Sequence, residues 1–417
     1  MTFLGSDGTL CDPDGELFIK PCVQQEIDFY EAAHKDHPRF AQLMPVYIGN
    51  LILNDVTTVH DIDEQLPAAA EHISLEMKEE ALRFAKEATA EAAKQAEESK
   101  DNIRWKPNKN RKIATNLSVV LENAAYGYKR PNILDAKLGR RLWADDAPLE
   151  KRQRFDEISR KTTNGSHGFR IAGMRVYKGS EDPSEWDAED YKVYDKDFGR
   201  IHVTPDNVTE EMRRFLFNPQ AGIDEHLAKV VAGAFVEDLK RVEDVLANEE
   251  SRMYSASLLF TYEGDGDALR AAIEEMNPNK HVSGQEKEMT KIVPGLSPGL
   301  RVDSGIELND DLEFVNGSKA ELFTNGNGLE ALLDGSDQQA ILSAMGDNVK
   351  VFEIGANGTT TEFEQLEEGS EMSSIPRIYS LKLIDFAHAQ FVPGQGPDEN
   401  SLLGVRSLIK IFEELSE

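Results

Sequence analysis

The stretch PNILDAKLG, residues 131–139, decides how this chain is read. An extended backbone sends successive side chains to opposite faces. Leu134, Ala136 and Leu138 then share an apolar face turned to a core, while Asp135 and Lys137 point together into the other space. A carboxylate beside an ammonium can hold a hydroxyl and a phosphoryl group at once. The same spacing also fits a surface strand that carries an ion pair, and the segment alone leaves both readings open.

Two distant segments bear on that choice. In IDFAH, residues 384–388, Asp385 closes an apolar strand. A carboxylate there suits Mg²⁺, which takes a few carboxylates plus phosphate oxygens, although Asp at a strand end also forms turns and caps helices. In FIKP, residues 18–21, Lys20 ends an apolar strand and Glu26 follows in the next element. A strand lysine paired with a helix glutamate positions phosphates in kinases, yet strands often end in lysine for no such reason.

Composition narrows the classes. The chain has 417 residues, 40% hydrophobic and 29% charged, which predicts two or three packed units with a sizeable core. A net charge of −30 argues against direct nucleic-acid binding, which needs a positive surface to displace counterions. The two cysteines, Cys11 and Cys22, are too few for a disulfide scaffold and predict a reducing compartment. MTFLGSDGTL does not resemble a secretory leader, and no apolar run approaches the ~20 residues of a membrane span. The expectation is a soluble intracellular protein. Walker A, complete GxGxxG, HRD, HExxH and paired CxxC patterns are all missing, so neither a P-loop, a Rossmann site, an ordinary protein kinase nor a structural zinc site is supported. His34 and His37 are read as ordinary surface residues of a helix.

The charge is uneven. Residues 263–371 carry 23 acidic against 7 basic side chains and are rich in Gly, Ser and Asn, as in NGNG (325–328) and PGLSPG (294–299). That predicts a solvated, largely disordered acidic insert, bounded at 265–374. Residues 129–178 reverse the sign, with 13 basic against 6 acidic side chains, and suggest a site for a small polyanion.

The remaining chain alternates strands and helices. Strands are predicted at 15–20, 46–53, 116–122, 257–262 and 379–386, with helix at 24–34. Residues 67–100 read as a long, mostly exposed helical insert with a narrow stripe of Ile73, Met77, Ala81, Phe84, Ala88 and Ala92. Residues 223–246 form an amphipathic helix whose apolar positions include Leu227, Val230, Val231, Phe235 and Leu239. A last helix carries Leu403, Ile411 and Leu415 on its apolar side, with Asn400 as its candidate N-cap.

Together the segments resemble the inositol polyphosphate kinase family, whose signature is PxxxDxKxG, and most of all its fungal multikinase branch. The likeness runs through LFIKP, EIDFY (26–30), LENAAYGYKRPNILDAKLG (121–139), LEKRQR (149–154), TTNGSHGFRIAGM (162–174), SASLLFTYEGD (255–265) and SLKLIDFAHAQFVPGQGPDEN (380–400). It implies an α+β, two-lobed, protein-kinase-like fold. An N-terminal lobe would span 1–128 with the helical insert at 67–100. A C-terminal lobe would span 129–417, with an inositol-binding segment at 140–170 and the acidic insert.

By that resemblance the chain is an ATP- and Mg²⁺-dependent kinase that takes inositol 1,4,5-trisphosphate to tetrakis- and pentakisphosphates. Lys20 would contact the ATP phosphates and Glu26 would orient it. Glu122 and the backbone near Ala124 would read adenine, and Ser257 would lie near the nucleotide phosphates. Asp135 would orient the attacking hydroxyl, and Lys137 would contact the transferring phosphoryl group. Asp385 would hold Mg²⁺. His388 would face the inositol ring, with Lys151, Arg152 and Arg154 as the clamp and Arg160 and Lys161 behind them. A trisphosphate 3-kinase and a hexakisphosphate kinase share the signature and stay as alternatives. So does a non-enzymatic role, scaffolding a transcription-factor complex through the acidic insert. A monomer in nucleus and cytoplasm is expected.

Overall fold

The computed structural model describes residues 9–52, 58–67, 73–98, 115–275 and 377–417. Most of the predicted acidic insert, including NGNG and PGLSPG, and most of GSDGTL lie outside the described residues. No helix among the described residues is long and apolar enough to cross a membrane.

The N-terminal lobe is a four-stranded antiparallel sheet in the order β1–β2–β4–β3, formed by Leu10–Cys11 (β1), Leu17–Pro21 (β2), Leu117–Glu122 (β4) and Tyr47–Ile52 (β3). Strand alternation gives the sheet two buried faces. Val119 and Leu121 face α1 (Gln24–Asp36), which buries Ile27, Phe29, Tyr30 and Ala33 against them; α2 (Pro38–Ala41) adds Phe40 to the same core. Leu17, Ile19, Leu51 and Val120 form the other face and need cover too.

That cover corrects the reading of 67–100. The helix α4 runs Leu75–Glu98 and is not mostly exposed along its first half. Ile73, Met77, Ala81, Leu82 and Ala85, with Ile62 and Leu66 of the α3 region (Val59–Gln65), close a second apolar cluster over the sheet. Ala88 and Ala92 lie outside the described side chains.

The C-terminal lobe centres on a five-stranded antiparallel sheet, β10–β9–β5–β6–β7. Its strands are Tyr379–Ile384 (β10), Ser257–Glu263 (β9), Pro131–Leu138 (β5), Phe169–Tyr177 (β6) and Tyr191–Tyr194 (β7). One face packs on α8 (Glu225–Asn248) and α10 (Glu399–Ser416). There Phe260 stacks on Phe412 at 5.1 Å between ring centroids, and Phe235 meets both edge-on. Leu134, Ala136 and Leu138 are fully buried on this face, as the alternation of 131–138 predicts. The short helices α5 (Leu149–Lys161), α6 (Thr163–His167), α7 (Val208–Leu216) and α9 (Gly266–Glu275) and a small β8–β11 ribbon, Ser251–Met253 with Ala389–Phe391, complete the lobe.

Three further expectations are corrected. Val230 turns to solvent on α8, at 38% exposure, because the core-facing stripe there is Leu227, Val231 and Phe235. Residues 266–275, assigned to the acidic insert, form α9 and bury Leu269 and Ala272. Asp398, not Asn400, caps α10, its carboxylate accepting from Ser401 N at 3.0 Å. Asn400 instead fixes the end of β5: its Oδ1 accepts from Arg140 N and Arg141 N, both at 2.9 Å. Gly139 makes room for this, since at φ +92° a Cβ there would sit 2.3 Å from Asn400 Nδ2.

Asp238 on α8 is a buried carboxyl in this core, with one oxygen unpartnered. Burial pushes its pKa up to about 6 against the pull of Arg241. A folded pKa above the unfolded value of about 3.9 costs stability as pH rises through that window, and the full cost applies above it. Asp238→Asn should therefore melt higher than the parent at pH 7.5, by on the order of 1–3 kcal/mol. The gain should vanish near pH 4, which paired thermal melts would check.

Candidate active site

The site forms where the two sheets face each other. On the open face of the C-terminal sheet, β5 presents Asp135 and Lys137, and β9 presents Ser257 opposite Lys137. From β2 of the other lobe comes Lys20, and from α1 comes Glu26. Asp385 follows directly after β10 at φ +67°, a left-handed conformation uncommon outside glycine. The turn is held because Glu26 Oε1 accepts from Phe386 N at 3.3 Å.

Asp385 joins the two lysines. Lys20 Nζ lies 2.9 Å from Asp385 Oδ1 and 2.9 Å from Glu26 Oε1. Lys137 Nζ lies 3.3 Å from Asp385 Oδ2, 2.7 Å from Ser255 O and 2.9 Å from Ser257 Oγ. Burial alone would raise the Asp385 carboxyl, but Lys20 and then Lys137 outweigh it and hold that carboxyl well below the usual range. Burial likewise works against the Lys20 charge, and Asp385 and Glu26 overcome it and raise its pKa. Asp135 behaves in the opposite way. Burial raises its pKa, Lys137 only partly offsets this, and its Oδ1 has no hydrogen-bond partner. The cleft thus holds one carboxyl whose pKa its two lysines lower and one whose pKa burial raises.

Of the other predicted residues, Glu122 sits at the lobe junction and accepts from Arg377 at 2.8 Å. The next residues form a turn in which Asn123 Oδ1 accepts from Ala125 N, with Ala124 at its bend. Lys151 reaches the cleft from α5, its Nζ 3.2 Å from His388 Nε2. Burial and the Lys151 charge lower the His388 pKa. Arg152 is not brought to His388. One residue further around the helix, it donates to the carbonyls of Ala147 and Asp145 and lies over the Trp143 ring. Arg154 and Arg160 are exposed, and Lys161 pairs with Glu157 on the helix surface. Sequence reading passed over Arg377, and also Arg170 near Asp135 and Arg200 near Arg170. The signal for Arg170 was a lone arginine in the apolar run FRIAGM of β6.

A strand lysine with its helix glutamate, meeting a strand-end aspartate across a two-lobed cleft, defines a phosphotransferase of protein-kinase-like build. The chain belongs to the inositol polyphosphate kinase family, whose model matches residues 118–413. It is 29% identical to the inositol polyphosphate multikinase of Saccharomyces cerevisiae over 430 residues, covering 98% of this chain and 95% of that one. The Schizosaccharomyces pombe inositol polyphosphate multikinase is 27% identical over 62% of this chain and 76% of its own. Human inositol hexakisphosphate kinase 3 is 30% identical over 43% of this chain and 39% of its own. Among solved structures, the S. cerevisiae inositol phosphate multikinase in complex with ADP and Mn²⁺ superposes with a TM-score of 0.50 at 24% identity, covering 97% of this chain and all of that one.

The donor set suits a hard divalent cation. Asp385 opens to the cleft with its side chain 37% exposed, and the carboxylate of Asp135 stands on β5 with its Oδ1 buried and without a hydrogen-bond partner. The described residues hold no group of three or more acidic, His or Cys side chains that could form an all-protein cage. One or two carboxylates completed by phosphate oxygens is the arrangement Mg²⁺ prefers.

Proposed function

We propose that this chain transfers the γ-phosphoryl group of ATP to ring hydroxyls of inositol polyphosphates, taking inositol 1,4,5-trisphosphate through a tetrakisphosphate to a pentakisphosphate. The meeting of Lys20, Asp385 and Lys137 within 3.3 Å carries this reading. Transfer of this kind is mostly positioning and charge neutralisation. Lys20, steadied by Glu26, turns to the nucleotide phosphates. Lys137, held by Ser255 O and Ser257 Oγ, donates to the transferring phosphoryl oxygens. Asp135 accepts a hydrogen bond from the attacking hydroxyl and takes its proton. Lys151 and His388 face the ring and its phosphates. Asp385 would hold Mg²⁺, which would supply neutralisation of the charge on the phosphate oxygens. Glu122 and the Ala124 backbone frame the adenine.

Incubation with ATP, Mg²⁺ and inositol 1,4,5-trisphosphate, with products separated by phosphate number, tests the proposal. Pentakisphosphate is the expected end point. Arrest at one tetrakisphosphate would favour a 3-kinase, and no product at all would reject the assignment. Residence in nucleus and cytoplasm, action as a monomer, and partnership with transcription-factor complexes through the acidic insert belong to the same proposal and rest on the family likeness.

A further inference from the structure

Beside Asp135, on the flank away from Asp385, lies a feature that the phosphoryl-transfer machinery leaves unused. Arg170 pairs across the β5–β6 ladder with Lys137, so the two side chains share the cleft face of the sheet. The ladder slips by one residue between Asp135 and Ala136, and Asp135 falls opposite Gly173, which has no side chain to cover it. Arg170 is only 4% exposed, and its Nε and Nη1 have no hydrogen-bond partner. A second guanidinium adjoins it. A single π-turn, Phe198–His202, is pressed onto β6 so closely that a Cβ on Gly199 would lie 1.8 Å from Ile171 O. The next residue, Arg200, pairs its Nη1 with Asp197 Oδ1 at 3.5 Å on the surface side, while its buried Nε has no partner, and its side chain is 28% exposed.

Two like charges packed together with unmet donors are costly. A buried cation left without a partner loses its hydration and gains nothing for it. Burial and then the neighbouring Arg200 lower the Arg170 pKa to about 10, against an opposing pull from Asp135. Asp135 offsets this only in part, and Arg170 Nε and Nη1 stay without a hydrogen-bond partner. Arg175, further along the same strand, makes a useful contrast: it is paired with Asp187 and Glu189 and lies over Tyr191. Guanidinium forks match phosphate oxygens in shape and charge, and the partly open Arg200 provides the way in.

We propose that Arg170 and Arg200 form an anion subsite that grips a phosphate already on the substrate ring, close to the hydroxyl that Asp135 engages. This rests on the phosphoryl-transfer reading for the identity of the ligand, an inositol polyphosphate. The subsite selects which hydroxyl reaches Asp135, because a ring without a phosphate at the matching place leaves Arg170 Nε and Nη1 and Arg200 Nε unmet.

Calorimetric binding of inositol 1,4,5-trisphosphate to the full chain tests this without requiring turnover. Arg170→Met should weaken binding about 10- to 100-fold, the scale of a lost charge-assisted hydrogen-bond pair. Arg170→Lys should recover only part of it, since an ammonium keeps the charge and not the fork. Arg200→Gln gives an independent measurement if the Met variant fails to fold. Removing one ring phosphate at a time from the ligand should reveal one whose loss costs the parent protein as much as Arg170→Met does, and costs that variant nothing more. Unchanged trisphosphate affinity in both arginine variants would overturn the subsite. So would equal sensitivity of parent and variant to every phosphate. A shifted pH–rate profile with unchanged binding would also overturn it, making Arg170 a positioning residue for Asp135. A parent protein that binds the trisphosphate yet phosphorylates nothing would sink the kinase reading, and the subsite would still be judged on the binding data.

Discussion

Asp135→Asn should lower turnover of inositol 1,4,5-trisphosphate by ~10²–10⁴-fold, the span expected for a positioned general base. The amide keeps the shape and can still accept a hydrogen bond, but it cannot take the hydroxyl proton. The carboxyl suits the role because it is buried at the cleft wall with Oδ1 unengaged, and because burial raises its pKa against the pull of Lys137. A base with a raised folded pKa loses its charged form as pH falls through that value. The acidic limb of the parent pH–rate profile should therefore lie above the ordinary aspartate value and disappear in the variant. Steady-state kinetics across pH would decide, and turnover close to the parent's would remove Asp135 from the chemistry.

The second large effect is expected at Asp385. Asp385→Asn should cost ~10²–10³-fold in turnover, the scale of one essential electrostatic group, and should weaken binding of Mg²⁺-ATP. One carboxylate there faces two ammonium groups, Lys20 from the N-terminal lobe and Lys137 from the C-terminal lobe. Neutralising it leaves two nearby positive charges and takes away the carboxylate oxygens that suit the cation. Excess Mg²⁺ should recover little of the loss. Parent-like turnover with parent-like Mg²⁺ dependence would show that Asp385 is only a strand-end turn former.

Much of the site was legible because its parts are local. Lys20 and Asp385 each lie at the end of an apolar strand, and Glu26 lies in the first turn of the helix that follows Lys20, so short patterns marked all three while the family resemblance chose the site reading over the surface one. The clamp was less legible. A run of cations on α5 does not say which ones face the cleft, and 100° of helical rotation per residue separates Lys151, near His388, from Arg152, turned to local carbonyls and Trp143. The buried half of α4 was missed for a similar reason. Its Ala-rich stripe is narrow, and it is buried because Leu17, Ile19 and Val120 on the outer sheet face need a partner. The one local sign of Arg170's burial is its place in the apolar run FRIAGM, and what covers it, β6 packing and the Phe198–His202 turn, is set by the fold.

By itself the amino-acid order determined that, once residues 131–138 run extended, Asp135 and Lys137 share one face and Leu134, Ala136 and Leu138 the other, since side chains alternate with a period of two. Only the tertiary structure decided what those side chains meet. Lys137 and Asp385 stand 248 positions apart and Lys20 and Asp385 stand 365 apart. Contacts at such separations come from sheet order, lobe packing and the register slip beside Asp135, all set by burial over the whole core and by no short run of residues.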